Sequence, residues 1–101
     1  MPVAGDIPEK QFQASVAQLA RMRRWETYHT YDSRRSNPGF PDLVLVRAPR
    51  IIFAELKTLK GKLTASQERW IAALSACPEA VEVYVWRPND WSDGTIEQTL
   101  K

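Results

Sequence analysis

Two short apolar runs, Leu43-Val44-Leu45-Val46 and Ile51-Ile52-Phe53-Ala54, lie on either side of the four residues Arg47-Ala48-Pro49-Arg50, and they constrain this chain more than any other feature. Continuous apolar runs of this length suit strands buried on both faces. A connection so short allows only an antiparallel hairpin. An acid stands at the open end of each run: Asp42 precedes the first and Glu55 follows the second. Closing the hairpin therefore sets two carboxylates side by side at one end of a sheet. Lys57, two residues after Glu55, points to the same face.

The rest of the chain reads as material to cover and extend that hairpin. A helix is expected from about Ile7 to Arg24, with Asp6 as N-cap, Pro8 in the first turn and Glu9 three residues after the cap. Phe12, Val16, Leu19 and Ala20 recur at helical spacing and form its buried stripe. Trp25 to Tyr31 alternates bulky and polar residues and reads as a strand. Asp32 to Pro41 is a loop dense in turn formers. A second helix starts at Thr64, with Gln67 completing a capping box, presents Trp70, Ile71, Leu74 and Ala73, and stops before Pro78. Val81 to Trp86 alternates as a strand, and a final short helix capped by Asn89 or Asp90 ends near Leu100. The order α-β-β-β-α-β-α is that of a mixed α/β domain with a central sheet, and 101 residues fit one domain, residues 1–101.

Charge is uneven. Residues 1–62 carry eleven Lys/Arg against six acids, whereas residues 63–101 carry three against six. A polyanion is drawn to the first part, although an unevenly charged solvated surface gives the same pattern. No apolar run approaches the roughly 20 residues that span a bilayer. The start Met1-Pro2-Val3-Ala4-Gly5-Asp6 lacks the marks of a signal peptide, and Cys77 has no cysteine to pair with, so an intracellular protein is expected. Cys77 and His29 alone are too few for structural zinc.

Carboxylates such as Asp42 and Glu55 are hard oxygen ligands suited to Mg²⁺ or Mn²⁺, and a lysine beside them can hold a water or offset charge on a phosphate. That set serves phosphodiester hydrolysis. Glu-x-Lys alone is common at sheet ends as a surface ion pair; here Pro41 before Asp42 and the buried run beside each acid sharpen the signal.

Pro41-Asp42 followed by Glu55-Leu56-Lys57 resembles the PD-(D/E)XK nuclease superfamily. The longer strings Gly39-Phe40-Pro41-Asp42-Leu43-Val44-Leu45-Val46-Arg47 and Phe53-Ala54-Glu55-Leu56-Lys57-Thr58 resemble its VRR-NUC branch. So do Lys60-Gly61-Lys62-Leu63-Thr64 with Gln67 and Trp70, and Val83-Tyr84-Val85-Trp86-Arg87-Pro88 with Asp90-Trp91. The resemblance runs from about Glu9 to Leu100, with no departure at the acid, acid and lysine positions. It implies a restriction-endonuclease-like αβββαβ core with a mixed sheet, Mg²⁺ or Mn²⁺ dependence, and cleavage of branched DNA. Stand-alone members of the branch are viral or bacterial and are similar to dimeric four-way-junction resolvases, which places such a protein in a bacterial cytoplasm, its own or that of a phage host.

The resemblance implies a catalytic set of Asp42, Glu55, Lys57 and Gln67, and a metal set of Asp42, Glu55, Leu56 and Glu9. Glu9 also fits a capping box with Asp6, and Gln67 one with Thr64. Arg34 and Arg35, in the loop before Asp42, together with Lys60 and Lys62, are the expected DNA-backbone contacts. His29 reads as a hydrogen-bonded structural histidine ahead of a general base. Tyr84, Trp86, Trp91 and Leu100 are expected as an isologous patch of a homodimer acting on Holliday junctions. The competing readings are a monomeric nuclease of flaps or splayed ends, a DNA-binding module without catalysis, and a structural phage protein.

Overall fold

The computed structural model describes residues 7–31 and 37–101. Its elements are α1 (Glu9–Met22), β1 (Glu26–His29), β2 (Leu43–Arg47), β3 (Arg50–Leu56), α2 (Ala65–Ser75), β4 (Glu82–Trp86), α3 (Pro88–Ser92) and α4 (Thr95–Leu100). The strands form one four-stranded mixed sheet in the order β1-β2-β3-β4. β2 and β3 make the expected antiparallel hairpin, with Arg47 opposite Arg50 and Leu43 opposite Ala54. β1 joins antiparallel, Glu26 opposite Val46. β4 runs parallel to β3, Ile52 opposite Glu82, because the α2 crossover returns the chain to the same end of the sheet. This is the α/β core expected of a PD-(D/E)XK-like chain.

One face of the sheet is sealed. Leu43, Leu45, Ile52, Ala54 and Leu56 pack with Phe12, Val16 and Ala20 of α1, with Trp25 and Trp86, and with Ile96 and Leu100 of α4. Every one of these is at most 3% exposed, and each large apolar side chain so buried contributes about 1.5–3 kcal/mol. Leu19 packs on this core half-buried. The C-terminus is locked to it: Trp25 Nε1 donates to the Leu100 carbonyl at 3.0 Å, and the Arg47 guanidinium donates to the carbonyls of Arg23 and Leu100 at 2.8 and 3.1 Å.

The other face departs from expectation. Val44, Ile51 and Phe53 are only half-buried and Val46 is 39% exposed, so the hairpin is not buried on both sides. The eleven-residue α2 is the helix on that side, and none of its residues is fully buried. Its Trp70, Ile71 and Leu74 are half-covered and Ala73 is exposed.

Three boundaries also differ. Pro8, with φ −59° and ψ 144°, is itself the N-cap of α1, so Glu9 is the first helical residue and not the third position of a capping box; Asp6 lies outside the described residues. The strand read from Trp25 to Tyr31 is ladder-paired over Glu26–His29 alone, and Trp25 turns into the core. The expected single C-terminal helix is two, broken by Gly94 at φ 85°, and the cap of α3 is Arg87 with Asp90 as its capping-box partner.

Candidate active site

Asp42 lies one residue before the Leu43–Ala54 pair and Glu55 one residue after it, so the register makes the two acids neighbours at the end of the hairpin. Glu9 arrives from the first turn of α1. One carboxylate oxygen from each of Glu9, Asp42 and Glu55 can be chosen so that all three lie within 4.8 Å of one another. Asp42 is held by the Leu56 N–H, which donates to its Oδ2 at 2.8 Å. Glu55 is reached from α2, where Gln67 Nε2 donates to Oε2 at 3.4 Å. Gln67 holds that place because its Oε1 accepts the Thr64 N–H at 2.9 Å while its own N–H donates to the Thr64 hydroxyl at 3.1 Å. The capping box and the site contact coexist in one side chain.

The segment before Asp42 is equally fixed. Phe40 packs edge-on against Phe53 of β3 and Trp70 of α2, at centroid distances of 5.9 and 5.0 Å. Gly39, at φ +89°, lies so near α2 that a Cβ there would sit 2.4 Å from the Ser66 carbonyl carbon. Only glycine permits both that backbone conformation and that approach. Thr30 ties the segment to β1, its N–H donating to the Asp42 carbonyl at 2.9 Å and its hydroxyl to the Pro41 carbonyl at 2.7 Å.

Electrostatically this is a strained acid pocket. Glu55 is 1% exposed, and burial, followed by the adjacent Asp42 carboxylate and the charge of Glu9, pushes its pKa up to about 9 against the opposing pull of Lys57. Glu9 is raised too, by burial first and then by Asp42, again with Lys57 opposing. Glu55 Oε1 is buried without a hydrogen-bond partner among the described residues. A buried, unpartnered carboxylate oxygen facing two more carboxylates is the donor set of a hard divalent cation, and Mg²⁺ or Mn²⁺ fits it.

The structure thus brings together Glu9, Asp42, Glu55 and Gln67, with Lys57 close enough to act on both glutamates. The Leu56 side chain is in the core, so that residue can offer only its backbone carbonyl. Lys60 and Lys62 are exposed on the loop after Lys57; Arg34 and Arg35 lie outside the described residues. His29 is exposed, its ring 4.2 Å from that of Tyr31 and tilted by 48°, and it is not a member of the acidic cluster; its exposure does not fit a buried structural histidine. Trp86 and Leu100, expected in a dimer patch, are core residues at 2% and 0% exposure, leaving Trp91 as the exposed member at 36%.

Arg87 holds the loop after Lys57, a place the sequence does not assign to it. Its guanidinium donates to the carbonyls of Thr58 and Gly61, both at 2.7 Å, and so clamps the loop that follows Lys57. In the sequence it appears only within the string Val83 to Pro88 that carries the resemblance, with no role of its own.

No helix among the described residues is long and apolar enough to cross a membrane. Comparison with curated proteins and with solved structures gave no match. Residues 4–87, most of the chain, match the family model of the VRR-NUC domain, and the chain that builds this acidic pocket belongs to that nuclease-domain family.

Proposed function

We propose that the chain is a metal-dependent, structure-specific DNA endonuclease, with residues 1–101 as one nuclease domain, and that it resolves Holliday junctions as a homodimer. The observation that carries the reading is the convergence of Glu9, Asp42 and Glu55, one of them buried with an unpartnered oxygen, in a VRR-NUC chain.

Hydrolysis forms a bond from a water oxygen to phosphorus and breaks one phosphorus–oxygen bond of the backbone. Asp42, Glu55 and Glu9, with the Leu56 carbonyl, would hold Mg²⁺ or Mn²⁺. Such a cation, when bound, supplies Lewis-acid polarisation of a phosphoryl oxygen and a more acidic water. Lys57 places a positive charge where negative charge gathers on the phosphorus oxygens in the transition state. Gln67 steadies the Glu55 carboxylate, and the Leu56 N–H that of Asp42, so neither must reorganise during the reaction. Lys60 and Lys62, with Arg34 and Arg35 ahead of Asp42 in sequence, serve the DNA backbone.

The half-covered sheet face, with Val46 39% exposed and no buried residue on α2, supports an isologous dimer. This replaces the patch expected from Trp86 and Leu100. A second reading, a monomer acting on flaps or splayed ends, is favoured by an open groove between α1 and β1. Purified protein assayed on labelled four-way junctions, flaps and splayed arms with Mg²⁺, Mn²⁺ or EDTA, alongside sedimentation, tests the proposal. Paired junction cuts by a dimer are expected; a monomer that cuts only flaps refutes the resolvase reading, and no cutting of any probe refutes the nuclease.

A further inference from the structure

Beside the acids, a groove of about 630 Å³ runs between α1 and β1. It falls within the size range of sites for one small ligand, about 300–1,000 Å³, enough for a short stretch of single strand. Ala14 and Ala17 line it, and their small side chains leave it open. Lys10 and Gln13 of α1 rise on one side, with Arg21 at the far end of that helix; His29 and Thr30 form the other wall. Arg21 reaches across toward the Thr27 hydroxyl at 3.5 Å. At the near end the groove opens on the acids: Glu9 lines both, and Thr30 is bonded to the Pro41 and Asp42 carbonyls.

An aromatic pair adjoins this basic lining, because His29 lines the groove and its ring contacts that of Tyr31. His29, at the end of β1, and Tyr31, two residues beyond it, hold their rings 4.2 Å apart and tilted by 48°. Both are exposed, Tyr31 at 73%. Cations along a channel with exposed rings at its edge are what a single strand requires: charge for its phosphates and flat faces for its unstacked bases.

We propose that this groove binds an unpaired DNA strand flanking the phosphate held at the acids, with Lys10 and Arg21 on its backbone and His29 and Tyr31 against its bases. The proposal rests on the nuclease reading and narrows its substrate to branches with unpaired nucleotides. Flaps and splayed arms supply these permanently, and a four-way junction supplies them once opened at the crossover.

The test is fluorescence anisotropy in EDTA, with a labelled splayed-arm duplex bearing thymidine arms and a blunt duplex of equal paired length. Lys10→Ala with Arg21→Ala, both at exposed positions, should weaken splayed-arm binding by about tenfold and blunt-duplex binding far less. His29→Ala should lose about fivefold on the splayed arm, and His29→Phe, which keeps a ring, should recover most of it. Splayed-arm affinity unchanged in the double variant, or reduced equally for both probes, overturns the groove; so does a His29→Phe variant no better than His29→Ala. Wild-type protein that cuts DNA while the variants bind normally refutes the groove alone. Wild-type protein that neither binds nor cuts any probe overturns the nuclease reading and the groove with it.

Discussion

Replacing Glu55 with glutamine should make the metal-free protein more stable. Burial and the neighbouring acids raise the Glu55 pKa from 4.5 to about 9. The folded chain therefore keeps this proton to higher pH than the unfolded chain does, and stability falls as pH rises between those values. At pH 7, about two and a half pH units above the unfolded value, the cost at about 1.4 kcal/mol per unit is about 3 kcal/mol. Glutamine keeps the shape with no proton to take up, and so removes the cost. In urea, with a slope of about 1–3 kcal/mol/M, the midpoint of Glu55→Gln in EDTA should lie roughly 1–3 M above wild type at pH 7, and the gap should nearly close at pH 5. Added Mg²⁺ or Mn²⁺ should then raise the wild type, by about 2.7 kcal/mol at a hundred times its Kd, and leave the variant nearly unmoved. A Glu55→Gln variant no more stable than wild type in EDTA at pH 7 would refute the reasoning, because the carboxylate would already be compensated within the protein.

Lys57→Ala should lower the cleavage rate by about 100-fold or more while cation binding, followed calorimetrically, persists; loss of binding together with cleavage would make the lysine structural. Lys60→Ala with Lys62→Ala, and separately Arg34→Ala with Arg35→Ala, should flatten the salt dependence of DNA binding by about 0.9 in log–log slope for each phosphate no longer neutralised, and an unchanged slope would remove that pair from the interface. Arg87→Ala, which frees the Thr58 and Gly61 carbonyls, should cost about 2 kcal/mol or more in chemical denaturation and slow cleavage. Gly39→Ala, forced against Ser66 at a positive φ, should destabilise by more than about 1 kcal/mol in the same assay.

What was legible in the sequence is what local rules decide. The β2–β3 hairpin followed from two apolar runs and a short link, and the Thr64–Gln67 cap from spacing alone. The juxtaposition of Asp42 and Glu55 followed from the hairpin. The remaining features depend on packing between distant segments. That Glu9 is the first residue of α1 rests on the backbone of Pro8, and that it reaches Asp42 rests on how α1 docks. Trp86 and Leu100 read as surplus apolar surface, yet both join the buried core with α1 and Ile96 of α4. The half-covered face was illegible because continuous apolar runs do not reveal that one short helix must cover a whole sheet face. The clamp by Arg87 on the loop after Lys57 has no local signature at all.

The central claim is that Asp42 belongs to a cation-dependent catalytic site, and single-turnover cleavage of a labelled branched DNA across a Mn²⁺ titration tests it most directly. Wild type should be inactive in EDTA and rise to a plateau with Mn²⁺, while folded Asp42→Asn should remain at least about 100-fold slower at every concentration. Cleavage in EDTA at the plateau rate, or Asp42→Asn following the wild-type curve, would contradict it.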